Sequence, residues 1–464
     1  MITVSANSVK VVGYVAGVVI VALLSAYFKL NFQQIISMTI FLAIILGAVT
    51  YWRLRLAFAT AGVAIMFFTG VLDVPHLLNY AHFDVIVFLM GMMTVIGFLD
   101  DRGFFEYLLE KIMKTFSRSG TLLFIGLLVM STLFAALVDE VTSILFVTAL
   151  TLRITKRYNL DPLPMVIATV MATNVGSSYT VIGNPIGVLL AFEGNLTFID
   201  FIRWAMPVGI AALVLTVALA LLYWKPYVQA LNAGMQSVPE DRKIDETPSF
   251  RSMRVPWLVF LATIGGLVVH HTLENMLNLS TNSLLLAVPV IMAGISLFLS
   301  GERARHIFES KIEWWSLGFF IFFFTSVGTL AFTGITDIMA RGVLGFAGKS
   351  TFVTTVMLTW IAGGLSAFMD NILAVATLIT IIHSLERVGY NMFPSYWGIL
   401  FGACYLGNLT MIGSTANIVA LGIIEKERKR FIGFIDWLKP GLAIALPELL
   451  LATLLICIQH FLGS

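Results

Sequence analysis

Four short polar stretches hold the residues of this chain that could do chemistry. Two are turns that carry a carboxylate between apolar runs, "LVDEVTS" (137–143) and "FMDNILA" (368–374). The other two, "TNVGSSYTVIGNPIG" (173–187) and "GNLTMIGSTANIV" (407–419), gather Asn, Ser, Thr and Gly where the surrounding chain is Leu, Ile, Val, Phe and Ala. A carboxylate at membrane depth is costly and by default marks a functional site. Asp139 and Asp370 are therefore the candidate pair, with Glu140 beside the first and Asn371 in its place in the second. Each Asp can also cap the helix that follows it, and the two roles are compatible. In the other stretches Gly183 and Pro185 break a helix, while Asn174, Ser177, Ser178, Thr180 and Asn184 supply donors and acceptors. Around Gly413 the same work falls to Asn408, Thr410, Ser414, Thr415 and Asn417. Exposed carbonyls and half-helix ends of this kind can coordinate a small ion or a polar solute.

These residues must be held by something, and composition says what. Of 464 residues, 59% are apolar and only 12% charged, with a mean hydropathy of +0.94. Soluble domains carry roughly twice that charged fraction. Apolar runs of bilayer-spanning length, about 20 residues, recur from end to end, so the chain reads as an all-α polytopic membrane protein. The spans fall at Val9–Phe28, Gln33–Trp52, Ala57–Leu72 and Phe83–Leu99, then an amphipathic stretch at 100–118 that reads as an interfacial helix. Thr121–Val138 and Val141–Leu152 form a hairpin around Asp139–Glu140, followed by Leu163–Phe192, which the first polar stretch interrupts, and Met206–Trp224. Lys225–Arg254 is a hydrophilic linker. The pattern then resumes with Pro256–His271, Ser283–Leu299, Trp315–Phe332, a second hairpin of Thr351–Met369 and Ile372–Ser384, the interrupted Pro394–Ile424, and Leu442–Ile458.

The two halves answer each other. Gly97, Gly103 and Asp139 match Gly328, Gly334 and Asp370 at one constant offset; after a single deletion Pro164, Thr180, Ile182 and Gly183 match Pro394, Thr410, Ile412 and Gly413. "FIDFIRWAMP" (198–207) is answered by "FIGFIDWLKP" (431–440) with Phe, Ile, Phe, Ile, Trp and Pro in register. The chain is an internal duplication. With both hairpins re-entrant there are eleven spans. One face of the membrane then keeps only Lys29, Arg203, Arg341, Lys349 and Arg387 of the 28 Lys and Arg. The rich face is cytoplasmic by the positive-inside rule, which puts the N-terminus in the cytoplasm and the C-terminus outside, in a plasma (inner) membrane. Treating each hairpin as two full spans leaves that alternation unchanged; the case for re-entrance is the shortness of the segments around Asp139–Glu140. Each repeat makes an odd number of crossings, so the second copy is inverted, a secondary-transporter feature. Both polar interruptions then lie midway through a span, where irregular backbone survives only if it lines a cavity.

Several classes fall away. Cys404 and Cys457 lie in apolar segments, so no disulfide framework is indicated, and no paired Cys/His spacing suggests zinc. Val9–Phe28 is a full span with no small-residue cleavage site after it, which argues against a cleaved signal peptide. No Walker-type loop supports ATP-driven transport, no cofactor is expected, and "EKERKR" (425–430) reads as a cytoplasmic charge anchor rather than a nucleic-acid patch. His270–His271 ends a span where interfacial polar residues are common. Cys404 could offer a soft thiolate to a metalloid, although a buried Cys is more often a small apolar residue.

"VDEVTSILFVTALTLRI", "TNVGSSYTVIGNPIG" and "FMDNILAVATLI…GNLTMIGSTANIVA" resemble the ion transporter superfamily over about residues 50 to 460. The resemblance is nearest to its arsenite permease/sodium–proton antiporter (ArsB/NhaD) group, which is similar to the citrate-transporter-like and dicarboxylate/sodium symporter proteins. It implies scaffold and transport domains, elevator-type alternating access and a homodimer. On this chain the division becomes an N-terminal helix (1–32), a first repeat (33–224), a cytoplasmic linker (225–255) and a second repeat (256–464). The scaffold helices are 33–99 and 256–332; the transport hairpins with their broken helices are 120–192 and 350–424. By position the resemblance puts ligand and ion sites on Asp139, Thr142, Asn174, Ser177, Thr180 and Asn184, and on Asp370, Asn371, Asn408, Thr410, Ser414 and Asn417. Na⁺ is expected at Asp139, Asn174, Asp370 and Asn408. The sequence departs from the family pattern at "GNP", where many relatives have an acidic residue before Pro, and lacks the paired Ser-Asn-Thr triplets of the dicarboxylate carriers. Both departures weaken a di- or tricarboxylate assignment.

Three functions compete. The site holds carboxylates and no Lys or Arg, so a bare multivalent anion meets repulsion there. The first is proton-linked movement of a small inorganic solute, Na⁺ or an arsenite-like hydroxide, by competition between proton and cargo at Asp139 and Asp370. The second is Na⁺-coupled symport of a citrate- or succinate-like carboxylate. The third, a non-transporting membrane scaffold, gains nothing from irregular buried backbone. The expected partners are the bilayer and a small ion or molecule, with H⁺ or Na⁺ as the coupling ion.

Overall fold

The computed structural model describes residues 6–116, 119–237, 252–348, 350–428 and 432–461, and all regular structure among them is helical. In chain order the helices are α1 (Ala6–Tyr27), α2 (Phe32–Thr50), α3 (Arg55–Phe68), α4 (Val74–Tyr80), α5 (Phe83–Asp101) and α6 (Phe104–Phe116). The first hairpin is α7 (Gly120–Leu137) with α8 (Glu140–Arg157), and the first broken span is α9 (Leu163–Gly176) with α10 (Pro185–Glu193). α11 (Phe198–Asp200) leads through a π turn into α12 (Met206–Tyr223), before α13 (Lys225–Ser237), α14 (Arg254–Leu277), α15 (Ser283–Ser300) and α16 (Ala304–Ser310). Then come α17 (Trp314–Phe332), α18 (Ile335–Ala347), the second hairpin α19 (Thr351–Ser366) and α20 (Asn371–Arg387), the second broken span α21 (Phe393–Leu406) and α22 (Thr415–Arg428), and α23 (Phe434–Phe461). Among the described residues nine helices are long and apolar enough to cross a membrane. The broken spans supply none of these whole, because Leu163–Gly176 and Phe393–Leu406 each stop after 14 residues.

The chain divides into two compact units. The first comprises Met1–Val87, Glu313–Thr354 and Val375–Met392. Here α2 opens with a capping box in which Asn31 and Gln34 bond each other's backbone. The Gln34 amide also donates to the Thr333 carbonyl at 3.0 Å, and Phe41 meets Phe323 with ring centroids 6.0 Å apart. Arg55 is buried against Trp52, 3.9 Å from its ring centre, and donates to Ser316 Oγ at 2.7 Å. The short α4 was not visible in the hydropathy pattern; Asp73 caps it, with a Pro in its first turn.

The second unit comprises Phe88–Ile312, Thr355–Ala374 and Phe393–Ser464, and it contains both hairpin turns and both breaks. Its core is built on Phe98, Phe104, Phe124, Leu128, Met165 and Trp437. Helices α7 and α9 are joined by hydroxyl bridges as well as by packing. Ser131 donates to the Thr169 carbonyl and Thr132 to the Ala172 carbonyl, each at 2.9 Å. Small polar residues let helices approach and bond where the hydrophobic effect offers little. The amphipathic stretch read as interfacial forms α6, whose Phe104 and Phe105 are fully buried in the protein core. The hydrophilic linker begins as α13, tied to the start of α7 by Asn232 Nδ2 donating to Thr121 Oγ1 at 2.9 Å; residues 238–251 of that stretch lie outside the described residues. Helix α8 runs past Leu152 to Arg157, 18 residues in all, ending on Lys156 and Arg157 as the negative end of a helix dipole favours. The segment is thus not short, and the shortness on which re-entrance leaned is absent from this arm.

Candidate functional site

Both hairpin turns are built the same way. Asp139 Oδ1 accepts from the backbone N–H of Val141 and Thr142, each at 2.8 Å, and so caps α8. Asp370 Oδ1 accepts from the N–H of Ile372 at 3.1 Å at the start of α20, while its Oδ2 accepts from Thr415 Oγ1 at 2.6 Å. The capping role is therefore real for both, and Asp370 in addition touches the second break.

Each break is locked to its own hairpin by one threonine. Thr180 Oγ1 donates to the Ala136 carbonyl, and its repeat partner Thr410 donates to the Ala367 carbonyl. Gly183 and Gly413 lie where the chain folds back on itself. A Cβ on the first would press into the Ser177 carbonyl, and on the second into the carbonyls of Gly407 and Ser366. Close approach, not left-handed backbone, is what demands glycine at these two positions. Pro185 then starts α10, with Asn184 Oδ1 accepting from the Gly187 N–H at 2.8 Å as its cap; Ser414 Oγ, in the equivalent place, accepts from the Ala416 N–H at 3.2 Å.

The two breaks meet through asparagines. Asn174 Nδ2 donates to Asn408 Oδ1 at 2.6 Å and to Asn417 Oδ1 at 2.9 Å, while Asn174 Oδ1 accepts from Ser414 Oγ at 3.0 Å. Asn417 Nδ2 donates to the carbonyls of Gly407 and Thr410 at 2.9 and 2.8 Å. A second contact runs through Asn184, whose Nδ2 donates to Ser177 Oγ at 2.9 Å and to Cys404 Sγ at 3.2 Å. Ser178 Oγ and the Tyr405 hydroxyl are 3.1 Å apart. All of these side chains are buried.

Glu140 completes the cluster. It is 2% exposed, lies in the electrostatic surroundings of Asp370, Asp139, Asn371, Ser177 and Cys404, and no Lys or Arg enters that set. Glu140 Oε2 and Asn371 Nδ2 are both buried without a hydrogen bond of regular geometry, an acceptor and a donor on interacting side chains beside the breaks. The arrangement offers amides, hydroxyls, one thiol and carboxylates to a small solute.

The structure thus brings together Glu140, Asn174, Ser177, Asn184, Asp370, Asn371, Asn408, Ser414, Thr415 and Asn417, with Ser178, Thr180, Thr410, Gly183, Gly413 and Pro185 shaping the backbone around them. Asp139 and Thr142 sit at the turn, where the Thr142 N–H serves the cap. Asn174 and Asn408, both expected to hold Na⁺, have their side-chain oxygens engaged by Ser414 and Asn174. Sequence reasoning missed Glu448, 0% exposed on α23, whose Oε1 lies 2.5 Å from Thr216 Oγ1. The signal was available: a lone carboxylate inside an apolar span, the same feature that singled out Asp139. It also missed Trp437, whose Nε1 donates to the Asn408 carbonyl at 3.0 Å.

Known proteins are similar to this chain in sequence or in fold. An uncharacterized transporter of Mycobacterium tuberculosis is 29% identical over 441 residues, covering 92% of this chain and 99% of the relative. An uncharacterized transporter of Synechocystis is 23% identical, covering 92% of this chain and 97% of its own length. The human P protein is 24% identical over 80% of this chain, which corresponds to 52% of that longer protein. Among solved structures, the YdaH transporter of Alcanivorax borkumensis has a similar fold, with a TM-score of 0.61 over 87% of this chain and 90% of that one, at 14% identity. The family model described as citrate transporter (CitMHS) matches residues 40–402, most of the chain. With its apolar helices and paired broken spans, this integral membrane chain belongs to the citrate transporter (CitMHS) family of transporters.

Proposed function

We propose that this transporter is a secondary active permease that moves a small inorganic solute, Na⁺ or an uncharged arsenite-like hydroxide, in exchange for protons. The observation that carries the reading is the charge of the site: Glu140 and Asp370 lie with Asp139, Asn371, Ser177 and Thr415, and no basic side chain enters the surroundings of Glu140. Proton and cargo compete for the hairpin carboxylates, so that one leaves as the other arrives. The two breaks give the site two-sided access, and an elevator-type displacement of the hairpins with the broken helices, in a homodimer, carries it across a plasma membrane with the N-terminus cytoplasmic.

A second reading is favoured by the name of the matching family. Under it the cargo is a citrate- or succinate-like carboxylate that enters together with Na⁺ or another cation, the cation offsetting the acidic site. Purified protein in liposomes loaded with a pH-sensitive dye, given Na⁺, arsenite, citrate and succinate in turn, tests both. Proton flux on adding Na⁺ or arsenite alone supports the first; flux only with a carboxylate plus a cation replaces it with the second.

A further inference from the structure

We infer that Glu448 is a positioning residue which, through Asn408, sets the polarity of the asparagine bridge joining the two breaks. α23 is pressed onto the second break along one side. Gly441 approaches the Leu409 and Asn408 carbonyls, Trp437 bonds the Asn408 carbonyl, and Glu448 reaches the Asn408 side chain. Asn408 Nδ2 has two protons and two acceptors in range, Glu448 Oε2 at 3.4 Å and the Met171 carbonyl at 3.3 Å. Its Oδ1 must therefore face Asn174, and it accepts there at 2.6 Å.

A flipped Asn408 amide would set its oxygen against those two acceptors and its nitrogen against the nitrogen of Asn174. The far end of the bridge is fixed in the same manner, since Asn417 Nδ2 faces only backbone carbonyls. Asn174 is held between these ends, and its Oδ1 is left to receive Ser414. Of the acceptors that orient the bridge, Glu448 alone is a side chain.

The chemistry of Glu448 matches that task. Thr216 has one hydroxyl proton but two acceptors in range, the Ala212 carbonyl at 2.7 Å and Glu448 Oε1 at 2.5 Å. A neutral Glu448 resolves the conflict: its Oε1–H donates to Thr216, Thr216 donates to Ala212, and Oε2 remains the acceptor for Asn408. No Lys, Arg or His lies on α9, α12 or α21, the helices packed against α23 here, and the titratable group in electrostatic contact is the Tyr405 phenol. A glutamine offers the same one donor and one acceptor; a leucine offers neither.

The test compares Glu448→Leu with Glu448→Gln in the purified full chain. Backbone hydrogen exchange is read across both breaks. Glu448→Leu speeds exchange about tenfold in residues 171–177 and 407–417, the scale expected when a buried donor loses its acceptor, and Glu448→Gln does not. A packing defect alone speeds only α12 and α23. In liposomes, Glu448→Leu raises KM for the cargo and Glu448→Gln restores it. Unchanged exchange at both breaks in Glu448→Leu overturns the inference, as does a Glu448→Gln variant that behaves like Leu. If Glu448→Leu does not fold, Glu448→Asp, one methylene short of Asn408, takes its place with the same expectation. The transport arm rests on the proposed function; if the unmodified protein carries none of the solutes, that reading falls while the exchange result still decides the role of Glu448.

Discussion

The side-chain amide of Asn174, in the first repeat, donates to Asn408 Oδ1, in the second, at 2.6 Å, and this bond is completely buried. It couples the two broken spans through residues that are 234 apart in the chain. Replacing Asn174 with Ala strips Asn408, Asn417 and Ser414 of a partner at once. The expected loss is about 1–3 kcal/mol of stability, the cost of leaving buried polar groups unpaired, together with most of the transport. Asn408→Ala made alone and in combination should give a coupling energy of about 0.5–3 kcal/mol in a double-mutant cycle. Additive effects in thermal unfolding would show that the bond does not join the two breaks energetically.

The glycines of the breaks make a sharper contrast. Gly183→Ala and Gly413→Ala drive a methyl group into backbone carbonyls that cannot move without unwinding the turn. Each is expected to cost about 1–3 kcal/mol, as overpacking does, and to lower transport. Gly265→Ala, in a helix with nothing within 4 Å of the new atom, should be neutral or gain up to about 1 kcal/mol from helix propensity. Equal unfolding temperatures for all three variants would contradict the account of the breaks.

Asp370→Asn separates charge from cap. An asparagine keeps an oxygen for the Ile372 N–H, so the start of α20 holds and the protein folds. The lost charge is the one beside Thr415 and Glu140, and proton-coupled flux in liposomes should disappear. Flux at the unmodified level would remove Asp370 from the mechanism.

Cys404 discriminates between cargoes. Its sulfur accepts from Asn184 and Ser177, and both bonds survive replacement by a hydroxyl. Cys404→Ser should leave Na⁺-driven proton flux within about twofold, since a single neutral hydrogen bond contributes about 1 kcal/mol and is here exchanged rather than lost. It should weaken arsenite transport at least about tenfold if the thiol ligates a thiophilic solute, a difference of about 1.4 kcal/mol. Equal arsenite transport before and after would exclude the sulfur as a ligand.

Much of this protein could be read from its residues in order. Hydropathy located most of the apolar helices, because burying a polar backbone in lipid requires continuous helix, although nine of the described helices, against eleven expected spans, are long and apolar enough to cross a membrane. The matched pairs Thr180 with Thr410 and Gly183 with Gly413 revealed the duplication, and the structure gives each pair the same bond or the same close approach. Asp139 and Asp370 stood out because charge inside an apolar run is costly wherever the chain goes. What sequence order did not carry is which polar groups face one another. Helix α4 escaped notice because seven residues are too few for a hydropathy window, and α8 outran its apolar part because a helix continues through threonines and basic residues at its end. Glu448, a carboxylate inside an apolar run, was legible as a costly charge, but not its contact with Asn408, 40 residues earlier on another helix. Periodicity and the cost of burial are local or additive, so the sequence states them directly. The direction of an amide depends on every acceptor around it, and only tertiary packing brings those acceptors together.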